Sequence, residues 1–173
     1  MTFQKRLALL GAAAAALLSG PALAADKEDI QALTQARLSL TQAIEEAGRQ
    51  GNGRAVDAEF DVENGAARYE VTILGADRLV TYTLDANTGA VVKTDEKTVA
   101  RYFTRLDPAD LQGARTTLEQ AIGIAEQRLS GKAIEAEVER DGDAVRYEVT
   151  VAHPDGRTQD IKISGVDGQV AER

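Results

Sequence analysis

Two stretches of the chain switch their hydrophobic period in the same way, 78 residues apart. Leu40, Ala43, Ile44 and Ala47 fall at i, i+3, i+4 and i+7, which lines one face of a helix. Leu118, Ala121, Ile122 and Ala125 repeat that spacing. Ser39 and Thr117 precede these helices, and Gln42 and Gln120 follow three residues later, the spacing of a capping box. A shorter helical segment comes before each, opening at Asp29-Ile30 and Asp107-Pro108 and carrying Leu33 and Leu111. The main helices are expected to stop at Gly51-Asn52-Gly53 and Ser130-Gly131, with glycine in the left-handed region.

The period then drops to two. Val56, Ala58, Phe60 and Val62 alternate with Asp57, Glu59, Asp61 and Glu63. Ile134, Ala136 and Val138 alternate with Glu135, Glu137 and Glu139. Each run reads as a strand with one buried and one wet face. Asn64-Gly65 and Asp141-Gly142 predict hairpin turns, since both pairs accept positive φ. The return strands bury Tyr69, Val71 and Ile73, and Tyr147, Val149 and Val151. A third strand covers Leu79–Leu84, with its partner near Gln159–Ile163. One extra residue in the second copy falls at the Pro154-Asp155-Gly156 turn, where it leaves strand facing intact. A short fourth strand follows, with Val91-Val92 and Val170 as its apolar content. Between the units, Thr94–Leu106 reads as a connecting helix, with Val99, Tyr102, Phe103 and Leu106 as an apolar stripe.

These patterns are one unit written twice. Residues 29–73 align with 107–151 without a gap, and 19 of the 45 positions are identical. The clearest block is Arg68-Tyr69-Glu70-Val71-Thr72 against Arg146-Tyr147-Glu148-Val149-Thr150. The expected fold is α+β: two tandem repeats, each a helical segment plus a main helix on a small antiparallel sheet of three to four strands. The expected layout is a signal peptide at 1–24, a first repeat at 26–93, the connecting helix at 94–106 and a second repeat at 107–173.

The first residues change the picture of where the chain resides. Lys5 and Arg6, an apolar run from Leu7 to Leu18, a break at Gly20-Pro21 and the small-x-small Ala22-Leu23-Ala24 form the layout of a secretory signal, with cleavage between Ala24 and Ala25. The apolar run is shorter than the roughly 20 residues a membrane-spanning helix needs. The expected location is therefore periplasmic or secreted, without stable membrane insertion after cleavage. Losing Lys5 and Arg6 moves the formal net charge from −8 to −10. That acidity argues against nucleic acid as a partner. The chain has no cysteine, so no disulfide supports either repeat. A unit of roughly 70 residues is marginal alone, so the two are expected to dock.

Candidate chemistry is sparse. His153 is the sole histidine and sits in a turn, with no cysteine or second histidine to build a nucleophile–base pair or a transition-metal site. Asp85, Asn87, Gly89 and Glu96 approach the spacing of a calcium loop, but Ala90 stands where the sharp turn needs glycine, so a hairpin turn is the better reading. The acidic rows and their arginines are the candidate partner-binding surface: Glu59, Asp61, Arg68 and Glu70, with Glu137, Glu139, Arg146 and Glu148. No catalytic, metal or cofactor residue is assigned.

The assembly resembles the PepSY domain, on Gln42-Ala43-Ile44 with Ala47, Ala55-Val56-Asp57-Ala58-Glu59, Tyr69-Glu70-Val71 and the closing Asp85-Ala86-Asn87-Thr88-Gly89-Ala90-Val91. The second copy matches through Gln120-Ala121-Ile122, Tyr147-Glu148-Val149 and Gly168-Gln169-Val170, but Ser164-Gly165-Val166-Asp167 replaces the aspartate and threonine. The resemblance implies a helix-on-sheet fold, no catalysis and no cofactor. It also implies binding to a protein partner, with inhibition or regulation of an envelope protease as the leading role. The alternative is a periplasmic sensor module that binds a small ligand or cation on the acidic sheet face.

Overall fold

The computed structural model describes residues 27–76, 78–98, 106 and 108–170. Residues 1–24, and Val99, Tyr102 and Phe103 of the expected connecting helix, lie outside them. The elements are α1 (Lys27–Gln35), α2 (Leu40–Gln50), β1 (Arg54–Glu63), β2 (Ala66–Leu74), β3 (Arg78–Asp85) and β4 (Val91–Thr98). They are followed by α3 (Pro108–Gln112), α4 (Leu118–Leu129), β5 (Lys132–Asp141), β6 (Ala144–Ala152) and β7 (Thr158–Ser164).

Both capping boxes form. The Ser39 and Thr117 side chains accept from the Gln42 and Gln120 amides, and each glutamine side chain accepts from the cap amide in return. The predicted stripes of α2 and α4 are the buried ones. α1 begins at Lys27, so Asp29 lies inside its first turn instead of capping it.

The strands do not form two small sheets. They form one seven-stranded antiparallel sheet in the order β4-β3-β2-β1-β5-β6-β7, with the two repeats joined through β1 and β5. The joining register is short: Asp57 opposite Glu137, Ala58 opposite Ala136, Glu59 opposite Glu135. Ala58 and Ala136 are the same position of the two copies, so a pseudo-twofold axis passes between them. The helices cover one face. Tyr69, Tyr147, Leu40, Leu84, Ile122 and Ile163 are among the largest fully buried side chains there.

Reciprocal contacts cross the axis. The Arg54 guanidinium of β1 donates to the Leu111 carbonyl in α3. At the matching place Lys132 of β5 donates to the Leu33 carbonyl in α1, at 3.4 Å. Each repeat therefore uses the cation that opens its first strand to hold a carbonyl of the other repeat's short helix. Within each repeat the shared tyrosine does similar work. Tyr69 donates to the Leu38 carbonyl at 2.7 Å and Tyr147 to the Thr116 carbonyl at 2.5 Å, fixing the second strand to the residue before the helix cap. Burial raises both phenols above the usual tyrosine range.

Several local expectations need correction. The left-handed residue ending α4 is Ser130, at φ 54°, while Gly51 after α2 is extended. Gly53 and Gly131 serve a different need: an added Cβ would lie 2.3 Å from the Leu74 carbonyl oxygen and 2.5 Å from that of Ala152. The strand entries pass too close to their neighbours for any side chain. The second hairpin turns on Gly142-Asp143, one residue later than expected, with Asp141 still paired to Ala144. Asn64 and Gly65 both take positive φ, as in a type I′ turn, whereas in the second hairpin only Gly142 does, as in type II′. Thr94–Thr98, expected to start the connecting helix, instead extend β4, paired with Tyr82 back to Arg78. Pairing along β3 decides this all-polar stretch over a helical stripe whose apolar members begin only at Val99.

Gly53→Ala should therefore destabilise the protein by about 2–4 kcal/mol in urea unfolding, because backbone must move to admit the methyl. Gly48→Ala, inside α2 with nothing within 4 Å of the new Cβ, should stabilise it by about 0.5–1 kcal/mol.

Candidate functional site

The face opposite the helices is open. Strand parity puts Asp57, Glu59 and Asp61 of β1 on it, with Arg68, Glu70 and Thr72 of β2 directly across. Glu135, Glu137 and Glu139 of β5 face Thr150, Glu148 and Arg146 of β6 in the same way. All eight candidate partner-binding residues are thus brought to one surface: Glu59, Asp61, Arg68, Glu70, Glu137, Glu139, Arg146 and Glu148.

The two halves of this face differ. In the second repeat, Glu139 accepts from Arg146 at 2.7 Å, and the Lys162 ammonium bridges Glu139 at 3.0 Å and Glu148 at 2.5 Å. Glu137, Glu139 and Glu148 bring their oxygens within 4.8 Å of one another, a spacing that would suit a metal ion. Lys162 already supplies the positive charge there. Burial pushes the Glu139 carboxyl up, but Arg146 and Lys162 outweigh it and hold the group below the usual glutamate range. The first repeat has Thr83 where the second has Lys162, and Thr83 reaches Glu70 only at 3.4 Å. Arg68 pairs with Asp85 of β3 at 2.5 Å, so in this half the cross-strand cation serves β3 and not the acidic row of β1.

Asp85 belongs to a turn. Its Oδ1 accepts from the Asn87 and Thr88 amides and the Thr88 hydroxyl, at 3.0–3.1 Å, and Gly89 takes φ 72°. Those bonds hold the carboxyl below the usual aspartate range. Glu96, at the far end of the calcium-like spacing, pairs with Arg78 across β3 and β4. In the second repeat Ser164 takes the aspartate's place and accepts from the Val166 amide. His153 lies in the β6–β7 turn, its amide donating to the Arg157 carbonyl.

Asp57 and Glu135, members of the acidic rows, flank the axis together with Glu59 and Glu137. Burial, then Glu59 and Glu137, raises Asp57 to about 6, against a hydrogen bond from Thr72. Burial, then Glu59, Glu137 and Asp57, raises Glu135 to about 7. Glu59 is raised too, first by burial and then by Asp61 and Glu70. Between the helices, a cavity of about 180 Å³ is lined by Ile44, Ile73, Leu111, Tyr147 and Arg54, and the Arg54 guanidinium is committed to the Leu111 carbonyl.

Comparison with known proteins decides the family. The family model described as "Peptidase propeptide and YPEB domain", PepSY, matches residues 37–95 and 116–173. The chain belongs to the PepSY family. It carries two such domains, each match running from just before a main helix into the strand or turn that closes the unit. No curated protein matches. Among solved structures, a putative lipoprotein from Clostridium difficile 630 is similar at 23% identity and a TM-score of 0.47, covering 79% of this chain and 92% of that one. The YpmB protein from Bacillus subtilis is similar at 16% identity and a TM-score of 0.31, covering 76% and 92%. Among the described residues no helix is long and apolar enough to cross a membrane.

The Lys162 bridge can be tested directly. Lys162→Met should cost about 1 kcal/mol or less at pH 7 and low salt, since these side chains are partly exposed. Glu139 is held low, so the bridge stabilises above the usual glutamate range and loses its effect as pH falls through it. The gap between variant and parent in urea unfolding should close toward pH 4 and in high salt.

Proposed function

We propose that this PepSY protein is exported and acts without catalysis, by binding a protein partner on the open face of its sheet, with an envelope protease as the leading partner class. One observation carries the reading: both repeats contribute to a single sheet whose second face no described helix covers. That face spans seven strands and presents carboxylates at its centre, with cations set outward at Arg68, Arg146 and Lys162. A broad surface of that kind suits a folded partner or an extended segment bearing basic residues at its middle. The sole histidine lies in a hairpin turn and the chain has no cysteine, which favours binding over nucleophilic catalysis.

The second reading, cation binding on the same face, draws on the raised carboxyls of Asp57 and Glu135 beside the axis. Calorimetry with calcium separates it from the first. A saturable heat that Glu135→Gln abolishes would favour the cation.

For the first reading, the purified protein should capture a partner from an envelope extract and slow that partner's proteolysis of a peptide substrate. Glu59→Lys with Glu137→Lys should weaken capture at least about tenfold, while the circular dichroism spectrum stays that of the parent. Capture that ignores charge reversal at both positions would remove the sheet face as the site. A captured protease of undiminished activity would remove inhibition while leaving binding in place.

A further inference from the structure

We infer that the junction between the two repeats is a pH-responsive seam, which tightens as the medium turns acidic and loosens as it turns alkaline. The geometry is that of the β1–β5 ladder. Only three residue pairs join the strands, and on the open face acid stands opposite acid on both sides of the Ala58–Ala136 pair: Asp57 against Glu137 and Glu59 against Glu135. Directly opposed side chains in an antiparallel ladder have Cβ atoms roughly 4.5–5.5 Å apart, and like charges so placed destabilise it. This opposition occurs at the one place where the sheet passes from one repeat to the other.

The surroundings add more negative charge than positive. From β2, Glu70 stands across from Glu59, while Arg68 is drawn to Asp85. From β6, Glu148 stands across from Glu137, and Arg146 lies farther out on Glu139. β7 contributes Asp160, which acts on Glu135, and Lys162, which is held by Glu139 and Glu148. On β1 and β5 themselves, Asp61 and Glu139 continue the acidic rows. β3 offers only Thr81 and Thr83 in line with Thr72 and Glu70, and beyond it Lys93 of β4 pairs with Asp95. From the helical side, Asp29 of α1 adds to the field on Glu59.

The sign follows from two of the four carboxyls that flank the axis. Asp57 and Glu135 titrate at about 6 and about 7, above the ordinary carboxylate range, so the folded state takes up protons before the unfolded chain does. Stability is lowest where both are charged, rises as pH falls through about 7 and about 6, and levels off near the unfolded values. The carboxyls held low, Asp85, Glu139, Asp155 and Asp167, lose their contribution only below the ordinary range, outside this window. The pairs flanking the alanines oppose both halves of the seam equally, so protonation on either strand relieves it.

Thermal unfolding of the purified protein between pH 8 and pH 5 is the test. The midpoint should rise by roughly 5 °C over that range. Asp57→Asn with Glu135→Gln should raise the midpoint at pH 8 and flatten the profile by more than half. Glu63→Gln, an exposed acid at the far end of β1, should leave the slope unchanged. Hydrogen exchange, corrected for intrinsic rate, should show the Ala58 and Ala136 region of β1 and β5 opening more readily at pH 8 than at pH 5.5. A midpoint that is flat or falls from pH 8 to 5 would overturn the inference. So would a slope that survives in the double variant, or exchange protection at β1 and β5 that does not change with pH.

Discussion

Three residue pairs between β1 and β5 decide what kind of molecule this is. Without them there would be two half-sheets, each backed by a helix pair, each close to the size at which a core without disulfides barely holds. With them there is one sheet and one continuous buried cluster that includes residues of both repeats. The junction is built on alanine. Ala58 and Ala136 are fully buried and small, so the helical layer can settle close over the strands where the repeats meet. α1 lies over both β1 and β5, and the Arg54 and Lys132 contacts carry the same symmetry outward to the short helices. The antiparallel sense of the pairing follows from the duplication itself: two copies of one edge, related by a twofold axis, meet antiparallel.

Much of this arrangement was legible. The helix faces, both capping boxes and the facing of the first two strands follow from periodicity, because each element buries one side and wets the other. The identical Arg-Tyr-Glu-Val-Thr block is explained by its neighbours. The tyrosine needs both burial and an acceptor, the valine needs burial, and the arginine, glutamate and threonine face the open side. What periodicity could not reach was anything set by contact between the copies. The joining edge, the register at Ala58 and the cross-repeat bonds of Arg54 and Lys132 are tertiary choices with no local signature. The extent of β4 was missed for a related reason. An edge strand with polar residues on both sides carries little period-two signal, and its pairing to β3 decides it. The candidate face was legible as a row of acids, but its asymmetry depends on Lys162 standing where the first repeat has Thr83, two strands away from the row.

The places where the copies diverge have physical reasons of differing kinds. Gly165 stands where the first repeat has Ala86, and Val145 where it has Ala67. A Cβ at 165 would lie 2.6 Å from the Val145 carbonyl oxygen and 2.7 Å from its side chain. Both residues still donate to the facing carbonyl, of Ala67 or Val145, and accept from the amide just before the main helix. That exchange preserves the fold and has no consequence for the surface. Lys162 for Thr83 changes the surface without touching the core scaffold. It gives the second half of the open face a fixed internal cation and leaves the first half to its own glutamates. A partner approaching the sheet would therefore meet two surfaces of different charge on one scaffold.

Acid facing acid at the axis runs against the local chemistry that would best hold two strands together. A lysine or threonine at Asp57 or Glu135 would fit the same strand, keep the same turn and relieve the repulsion. Natural chains that depart from local consistency tend to do so where function asks for it. The departure here is confined to the open face: behind it the alanines, tyrosines and capping boxes agree at every level. The packing demands of the fold are thus met on the helical side of the sheet, while the Lys162 bridge ties strands on the open one. The charge row at its centre serves no packing role, so its arrangement is the part of the structure that a partner's charge or the acidity of the medium can act upon.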